Sequence, residues 1–273
     1  MIEELLEKEY TSIALQQDGW VLHVTLNRPE SRNAMSLAMV NELGSVFDAI
    51  EGKREIRAII LRGADGHFCA GGDIKDMANA RAEAAKSDTD PYYQLNKQFG
   101  ELIAKVNAAP QVVIAVLEGA VLGGGFGLAC VSDVAIATDS AKFGLPETSL
   151  GIPPAQIAPF VVKRIGLTQA RRLALLGARF DGKTSVELGI SHFYAADESQ
   201  LNDTLKDVLS SIQKCAPEAN AMTKSLVLRA AEENARDLID DAAKLFSQAV
   251  QGKEGMAGTM AFVQKKSAPW DSE

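Results

Sequence analysis

Two glycine-rich stretches decide the fold of this chain: residues 68–73 read FCAGGD, and residues 122–127 read LGGGFG. Each stretch follows a run of apolar residues typical of a strand and precedes a helix-like run. Because glycine has no Cβ atom, its backbone N–H can approach a bound molecule closely. Two such N–H groups that point at one position form an oxyanion hole, which stabilises negative charge on a carbonyl oxygen. The two stretches therefore predict a protein that activates a carbonyl group.

Segments typical of strands and helices alternate around these stretches. Residues 12–16 and 20–26 predict a β-hairpin, because the polar residues and the glycine between them favour a turn. Residues 36–50 carry apolar side chains at helical spacing, and Ser36 can cap that helix. Buried strands are predicted from three further apolar runs, at residues 58–61, 112–117 and 134–137. Repetition of strand, glycine turn and helix indicates right-handed βαβ units, so the expected fold class is α/β.

The last part of the chain has the composition of a helical region. Helices are predicted at residues 169–176, 201–214, 218–232, 235–250 and 258–266. We place the change of architecture near Leu201, which divides the chain into residues 1–200 and residues 201–273. The polar, alanine-rich residues 78–90 predict a helical or loop insertion rather than a linker between domains.

Composition and charge exclude several classes of protein. Of the 273 residues, 47% are hydrophobic and 23% are charged, which is typical of a folded protein with a full core. A net charge of −8 argues against binding nucleic acid or an anionic membrane through bulk charge. Cys69, Cys130 and Cys215 form no CxxC or zinc pattern, so neither a disulfide framework nor a metal site is expected. The acidic first residues and the lack of a long apolar run predict a cytoplasmic protein without a membrane span.

Two segments of the chain resemble nucleotide-binding motifs. The dinucleotide pattern GxGxxG begins at Gly123 and Gly125, but Leu128 occupies the place of its third glycine. Residues 177–184 (GARFDGKT) match the Walker spelling, but a helix-like segment precedes them where that motif requires a strand. NAD binding is therefore not expected, and the Walker match is interpreted as a coincidence in a turn between helices.

Four motifs follow one another along the chain: NRP at 27–29 with NA at 33–34, FCAGGDI at 68–74, GAVLGGG at 119–125 with Asp133, and FGLPE at 143–147 with LG at 150–151. Their order and spacing resemble the crotonase family, the enoyl-CoA hydratases and isomerases, over residues 12–270. The resemblance implies a spiral of ββα units with a C-terminal helical region that mediates trimerisation, and assembly into homotrimers or homohexamers. It also implies an acyl-CoA thioester substrate, with coenzyme A as part of that substrate and no separate cofactor or metal.

The resemblance also assigns the catalytic groups. The backbone N–H groups of Gly72 and Gly124 would hold the thioester oxygen and so stabilise the enolate that forms when a proton moves or water adds. Glu147 would be the acid and base of the reaction. Taken alone, that residue would be interpreted as a helix-start or surface glutamate.

Binding of the substrate is assigned to further residues. Arg28, Arg32 and Lys75 are local cations for the phosphates of coenzyme A, although each alone would be interpreted as a surface charge. By the resemblance, the wall around the adenine includes Ala70, Asp73 and Ile74. Phe262 and Lys265 resemble the C-terminal segment that reaches a bound coenzyme A, often that of a neighbouring subunit.

Two departures from the hydratase pattern bear on the reaction. Gly127 occupies the position where typical hydratases have a second glutamate, which removes a carboxylate that holds water and carries a proton. Gln156 and Ile157 replace a glycine-rich stretch, so they should reshape the acyl pocket, and Gln156 could bind a polar substituent. We therefore expect Phe126, Gly127 and Gln156 to select the acyl group.

Residues 68–160 resemble the isohexenylglutaconyl-CoA hydratases of terpene catabolism, relatives of methylglutaconyl-CoA hydratase. We therefore expect hydration of the 2,3 double bond of a branched, glutaconyl-type CoA thioester. A Δ3,Δ2-enoyl-CoA isomerase is the nearest alternative, because Gly127 leaves a single glutamate. A relative that binds acyl-CoA, a partner or RNA without catalysis is the other, and the acidic charge disfavours RNA.

Overall fold

The structure of the protein is a computed structural model that describes residues 2–73, 75–79 and 90–271. In these ranges the strands are β1 (Ile13–Asp18), β2 (Val21–Leu26), β3 (Ala58–Gly63), β4 (Val112–Leu117), β5 (Ala120–Leu122), β6 (Val134–Thr138), β7 (Lys142–Gly144), β8 (Arg179–Asp181) and β9 (Phe193–Ala195). A short helical segment covers residues 75–79. The other α-helices of this part of the chain are α1 (Ile2–Glu7), α2 (Leu37–Ile50), α3 (Pro91–Ala108), α4 (Gly124–Val131), α5 (Ala158–Leu176), α6 (Gly182–Glu187), α7 (Glu198–Gln213), α8 (Pro217–Ala230), α9 (Ile239–Gln251) and α10 (Lys253–Val263).

Most strands belong to one large sheet. Over the described residues its order is β1-β2-β3-β4-β6-β9, and every pairing is parallel except the β1–β2 hairpin. A smaller sheet has the order β5-β7-β8 and carries the glycine-rich stretch 122–127 at the end of β5. Parallel neighbours require crossover connections, which helices supply here. The predicted α/β class is therefore confirmed.

Helices cover both faces of the large sheet. On one face the apolar stripe of α2 belongs to one buried cluster with Ile59 and Leu61 of β3. Ser36 Oγ accepts a hydrogen bond from the N–H of Met39 at 3.2 Å, as the predicted cap. On the other face Leu201 of α7 belongs to a second apolar cluster with alternate residues of β2, β3 and β4. A sheet buried on both faces needs continuous apolar strands, which is why these strands read as apolar runs.

Among the elements that differ from the expectations of the sequence are α3, α5 and β8. Helix α3 has no predicted counterpart, although Asp90 caps it and Pro91 occupies its first position. Helix α5 begins at Ala158, before the predicted residue 169, and continues through a kink at Gly166, where φ is 74°. The predicted turn between helices at residues 177–184 contains strand β8, which runs antiparallel to β7 at the edge of the small sheet.

The C-terminal helices α8, α9 and α10 bury none of their described residues fully. Arg57, which precedes β3, binds the C-terminal end of α7, because its guanidinium donates to the carbonyls of Ile212 and Gln213. It also donates to the carbonyl of Trp270 near the end of the chain. Helix α7 already packs on the sheet. The division into residues 1–200 and 201–273 stays a prediction.

Candidate active site

The two glycine-rich stretches lie side by side. Cys69 N–H donates to the Ala120 carbonyl at 2.8 Å, and Leu122 N–H donates to the Cys69 carbonyl at 2.9 Å. On its other side the first stretch is held by Met35, whose N–H donates to the Gly71 carbonyl at 2.7 Å. The first stretch is therefore clamped in a fixed register beside the second.

Glycine is needed at the residue before each predicted donor. Gly71 has a φ of 98° and Gly123 a φ of 50°, values that residues with a side chain adopt only at a cost. The two turns touch, since a Cβ atom at Gly123 would lie 3.5 Å from Gly71 Cα. The following N–H groups, on Gly72 and Gly124, have no hydrogen-bond acceptor among the described residues. Gly124 is also the first residue of α4, where a helix leaves its N–H unpaired.

Glu147 lies at the same junction. It begins a 3₁₀ turn (Glu147–Leu150) just after β7, and β7 is tied to the second stretch by the Gly123 N–H, which donates to the Gly144 carbonyl at 3.1 Å. Glu147 Oε1 is 3.0 Å from the position that a Cβ atom would take at Gly123. Its Oε2 is buried and has no hydrogen-bond partner in the part of the chain that the structure describes. Burial raises the pKa of Glu147, because loss of water destabilises the charged carboxylate.

This arrangement holds the parts needed for proton transfer beside a carbonyl. Unpaired backbone N–H groups can donate hydrogen bonds to a developing oxygen anion. A carboxyl group with a raised pKa can both take and give a proton. Titratable groups whose pKa is shifted by burial cluster at functional sites.

Apolar side chains fill the space beside Gly127. A Cβ atom at Gly127 would lie 2.3 Å from Ile157 Cγ2 and 3.4 Å from Ile103 Cδ1. Ile157 is only 2% exposed, so it has little room to move away. Hydrocarbon side chains thus occupy the space beside residue 127, and packing requires glycine at this position.

Two side chains outside the sequence motifs cover the predicted donors. A Cβ atom at Gly124 would lie 2.9 Å from Phe99 Cζ, and one at Gly72 would lie 3.0 Å from Met77 Cε. The capping signals at the start of α3 indicate a helix containing Phe99, but nothing local indicates which of its faces covers the glycine stretches. Sequence reasoning therefore missed both residues.

Gln156 lies against the same helix. Its Nε2 donates to Asn96 Oδ1 at 2.8 Å. Its Oε1 is 2.3 Å from the position that a Cβ atom would take at Gly100. The side chain of Gln156 thus packs against α3, and its contact with substrate stays a prediction.

The residues predicted to bind coenzyme A beside the first stretch are joined to one another. Arg28 forms an ion pair with Asp73, with 2.6 Å between Nη1 and Oδ2. Burial opposes ionisation of Asp73, but hydrogen bonds from Arg28 and from the Lys75 backbone outweigh it and lower the pKa of Asp73. Ala70 N–H donates to the Arg32 carbonyl at 3.0 Å. The ion pair neutralises Arg28, whereas Arg32 and Lys75 are exposed cations that could meet phosphates.

The other residues predicted to contact substrate are spread more widely. Phe126 is fully buried and its ring packs edge-on against Phe143, so it supports the second stretch from within the core. Phe262 is 84% exposed at the end of α10, and Lys265 follows it. Ile74 lies outside the described residues, as do residues 80–89 of the predicted insertion. The substrate contacts of all these residues stay predictions.

Buried thiols beside the site are chemically quiet. Burial raises the pKa of Cys69 to about 11 and that of Cys130 to about 12, so both remain protonated thiols. Among the described residues, no group of histidine, cysteine and carboxylate side chains is arranged to hold a metal ion. Over the same ranges, the helices are too short or too polar to cross a membrane.

Comparison with known proteins decides the family. The model of the family "Enoyl-CoA hydratase/isomerase" matches residues 16–273. This chain is a member of the enoyl-CoA hydratase/isomerase family. The structure of Pseudomonas aeruginosa AtuE has a TM-score of 0.92 and 58% sequence identity, and the match covers 96% of this chain and 100% of that chain. For an enoyl-CoA hydratase/isomerase from Marinobacter aquaeolei the values are 0.92 and 56%, over 95% of this chain and 99% of that one.

A curated relative supports the same assignment. An enoyl-CoA hydratase of Alternaria alternata is 33% identical over 260 residues, which are 94% of this chain and 83% of the relative. The crotonase-like fold and the resemblance to this family are therefore confirmed. An acyl-CoA substrate is consistent with membership of the enoyl-CoA hydratase/isomerase family, which includes both hydratases and isomerases.

Proposed function

We propose that this enzyme is a hydratase that adds water to the 2,3 double bond of a branched, glutaconyl-type CoA thioester such as isohexenylglutaconyl-CoA. The observation that carries the reaction class is the half-buried Glu147, whose Oε1 lies at the junction of the two glycine turns and whose Oε2 has no hydrogen-bond partner among the described residues. The substrate class is supported by the resemblance of residues 68–160 to isohexenylglutaconyl-CoA and methylglutaconyl-CoA hydratases.

In this proposal the thioester oxygen accepts hydrogen bonds from the N–H groups of Gly72 and Gly124. Glu147 takes a proton from water while the water oxygen bonds to the β carbon. The electron pair of the double bond moves onto the thioester oxygen, where the two donors stabilise the enolate. The enolate then takes the proton from Glu147 at the α carbon, which restores the carboxylate. Each donor contributes roughly 3 kcal/mol of transition-state stabilisation by analogy with measured oxyanion holes.

A Δ3,Δ2-enoyl-CoA isomerase is the second candidate, and the packing at Gly127 favours it. Ile157 and Ile103 fill the place of the second carboxylate, so no acidic group stands there to hold a water molecule. An isomerase needs only a single base that moves a proton between carbons, and Glu147 could do this alone. A direct assay distinguishes hydration from isomerisation better than the lack of the second glutamate does.

Absorbance of the conjugated thioester distinguishes the two reactions. Hydration of a 2-enoyl-CoA removes the conjugated chromophore, whereas isomerisation of a 3-enoyl-CoA creates it. We expect loss of the chromophore with 3-methylglutaconyl-CoA and no gain with a 3-enoyl-CoA. The opposite pattern would establish the isomerase, and no turnover together with a CoA-dependent thermal shift would establish a non-catalytic acyl-CoA-binding protein.

The role of Glu147 is tested by Glu147→Gln. Loss of a positioned acid and base lowers kcat by about 10²- to 10⁴-fold. Glu187→Gln changes an exposed glutamate at the end of α6 in the same way and serves as the control. A Glu147→Gln enzyme with near-normal turnover would refute the mechanism for both reactions.

We also propose that the protein is a cytoplasmic homotrimer or homohexamer that takes part in terpene catabolism. The exposed apolar side chains of the C-terminal helices support assembly, since Phe246 is 72% exposed and Phe262 is 84% exposed. In such an assembly Phe262 and Lys265 could reach the coenzyme A bound by a neighbour. Sedimentation velocity would measure the assembly, and a monomer at micromolar concentration would refute it.

A further inference from the structure

A pair of side-chain amides lies at one end of the contact between α3 and the segment that carries Ile157. Gln156 Nε2 donates to Asn96 Oδ1 at 2.8 Å. The Gln156 side chain presses on Gly100, where a Cβ atom would be 2.3 Å from Oε1 and 2.6 Å from Cδ. The amide pair therefore depends on the lack of a side chain at residue 100.

The amide pair lies on the face of α3 that covers the candidate site. Residues 96, 99, 100 and 103 are spaced so that they share one helix face. Phe99 on this face lies over Gly124, and Ile103 lies over Gly127. Asn96 is three residues from Phe99, or about 4.5 Å along the helix axis at the usual rise. The pair thus lies about one helical turn from the predicted oxyanion donor.

The pair offers hydrogen-bond donors beside apolar side chains. Each amide has two N–H bonds, and one of the four is used between the two side chains. Ile103 and Ile157 beside the pair are buried hydrocarbon and Phe99 is half-buried, whereas Gln156 is half-buried and Asn96 is exposed. An acyl chain without a polar end would offer no hydrogen-bond acceptor to the amide N–H groups, whereas a carboxylate would accept charge-assisted hydrogen bonds from them.

We propose that Asn96 and Gln156 bind the distal carboxylate of the acyl group, and that Gly100 makes room for this arrangement. The inference rests on the proposed function, because a glutaconyl group carries such a carboxylate at the far end from the thioester. Asn96 and Gln156 are specificity-determining residues that take no part in proton transfer. Asn96 holds the Gln156 amide in place and supplies further donors.

Matched pairs of CoA esters test this recognition without requiring turnover. The saturated esters 3-methylglutaryl-CoA and isovaleryl-CoA share a branched chain and differ by the distal carboxylate. Calorimetric Kd values on the full-length enzyme should favour the carboxylated ester by at least tenfold, since a site built for hydrogen bonding discriminates strongly against a ligand that lacks the group. Equal affinities in the wild-type enzyme would overturn the proposal.

Three variants assign the preference to these residues. Asn96→Asp places a negative charge beside the ligand carboxylate and should abolish the preference while leaving the Kd of isovaleryl-CoA within threefold. Gln156→Leu removes one donor at similar size, and Gly100→Ala displaces the Gln156 side chain; each should reduce the preference. Gln94→Glu, two residues from Asn96 on an exposed position of α3, adds the same charge and should leave the preference intact.

The outcomes separate this inference from the proposed function. If the wild-type enzyme prefers the carboxylated ester but Asn96→Asp and Gln156→Leu leave that preference intact, the assignment to the amide pair is wrong. If the preference depends on the pair but no 2-enoyl-CoA is hydrated, the hydratase proposal fails and the carboxylate site stands. Circular dichroism of each variant shows whether a lost preference reflects loss of folding, and Gln156→Leu keeps the test open if Gly100→Ala unfolds.

Discussion

The packing of Ile157 against Gly127 predicts that Gly127→Ala lowers the unfolding free energy of the native sequence and raises that of the Ile157→Ala protein. Gly127→Ala places a Cβ atom 2.3 Å from Ile157 Cγ2, and overpacking of this kind costs about 1–3 kcal/mol. Alanine in place of a helical glycine gains about 1 kcal/mol, so the net cost in the native sequence is roughly 0–2 kcal/mol. Ile157→Ala removes a buried side chain and costs about 2–5 kcal/mol.

In the double variant the contact with Cγ2 is gone, but the Cβ atom of residue 157 remains 3.0 Å from the new methyl carbon. This atom can shift by a few tenths of an ångström into the space that the removed side chain leaves, so mainly the gain of helix propensity remains. Gly127→Ala should therefore stabilise the Ile157→Ala protein by about 1 kcal/mol, and the coupling energy of the two changes is about 1–3 kcal/mol. Gly44→Ala is the control, because Gly44 lies in α2 with no atom near its Cβ position. It should stabilise both backgrounds equally.

Equilibrium unfolding in urea at one fixed protein concentration measures the unfolding free energies of these five variants and of the wild-type protein. Additive effects of Gly127→Ala and Ile157→Ala, or stabilisation by Gly127→Ala in the native sequence, would refute the idea that Ile157 occupies the place of the second carboxylate. The same reasoning predicts that Gly127→Glu is tolerated only together with Ile157→Ala.

Three further predictions concern stability. Glu147→Gln should raise Tm at pH 8. Because the pKa of Glu147 is raised in the folded protein, its contribution to the unfolding free energy is complete below the ordinary pKa of 4.5 and is lost as pH rises through the folded pKa. The difference in Tm between variant and wild type should therefore close toward pH 4, and a difference that does not change with pH would contradict burial as the cause. Lys224→Met should lower the unfolding free energy by about 3 kcal/mol, since it removes the ammonium group that pairs with the Asp133 carboxylate at 2.7 Å. Lys224→Met with Asp133→Asn should recover part of this loss in the same urea assay. Ser36→Ala should lower the unfolding free energy by about 1 kcal/mol through loss of the cap on α2, and an unchanged urea midpoint would show that the cap does not contribute.

Local patterns along the chain predict much of the backbone. The strand of residues 112–117 has the bounds that its apolar run predicts, and α2 starts after the residue expected to cap it. The glycine turns are equally local, because the positive φ values of Gly71 and Gly123 concern contacts within one or two residues. Helix α3 shows the limit: its cap is readable in the sequence, but its apolar pattern mixes a core face with a face toward the site.

The sequence by itself determined the fold class, the family and the positions of the glycine turns. Only the tertiary structure decided that Glu147 is desolvated beside Gly123, that Ile157 and Ile103 fill the space at Gly127, and that Gln156 meets Asn96 across 60 residues of sequence. The reason is physical. Backbone conformation follows from sterics between neighbours in the chain, whereas the occupancy of a pocket and the pKa of its carboxylate follow from side chains that distant segments bring together.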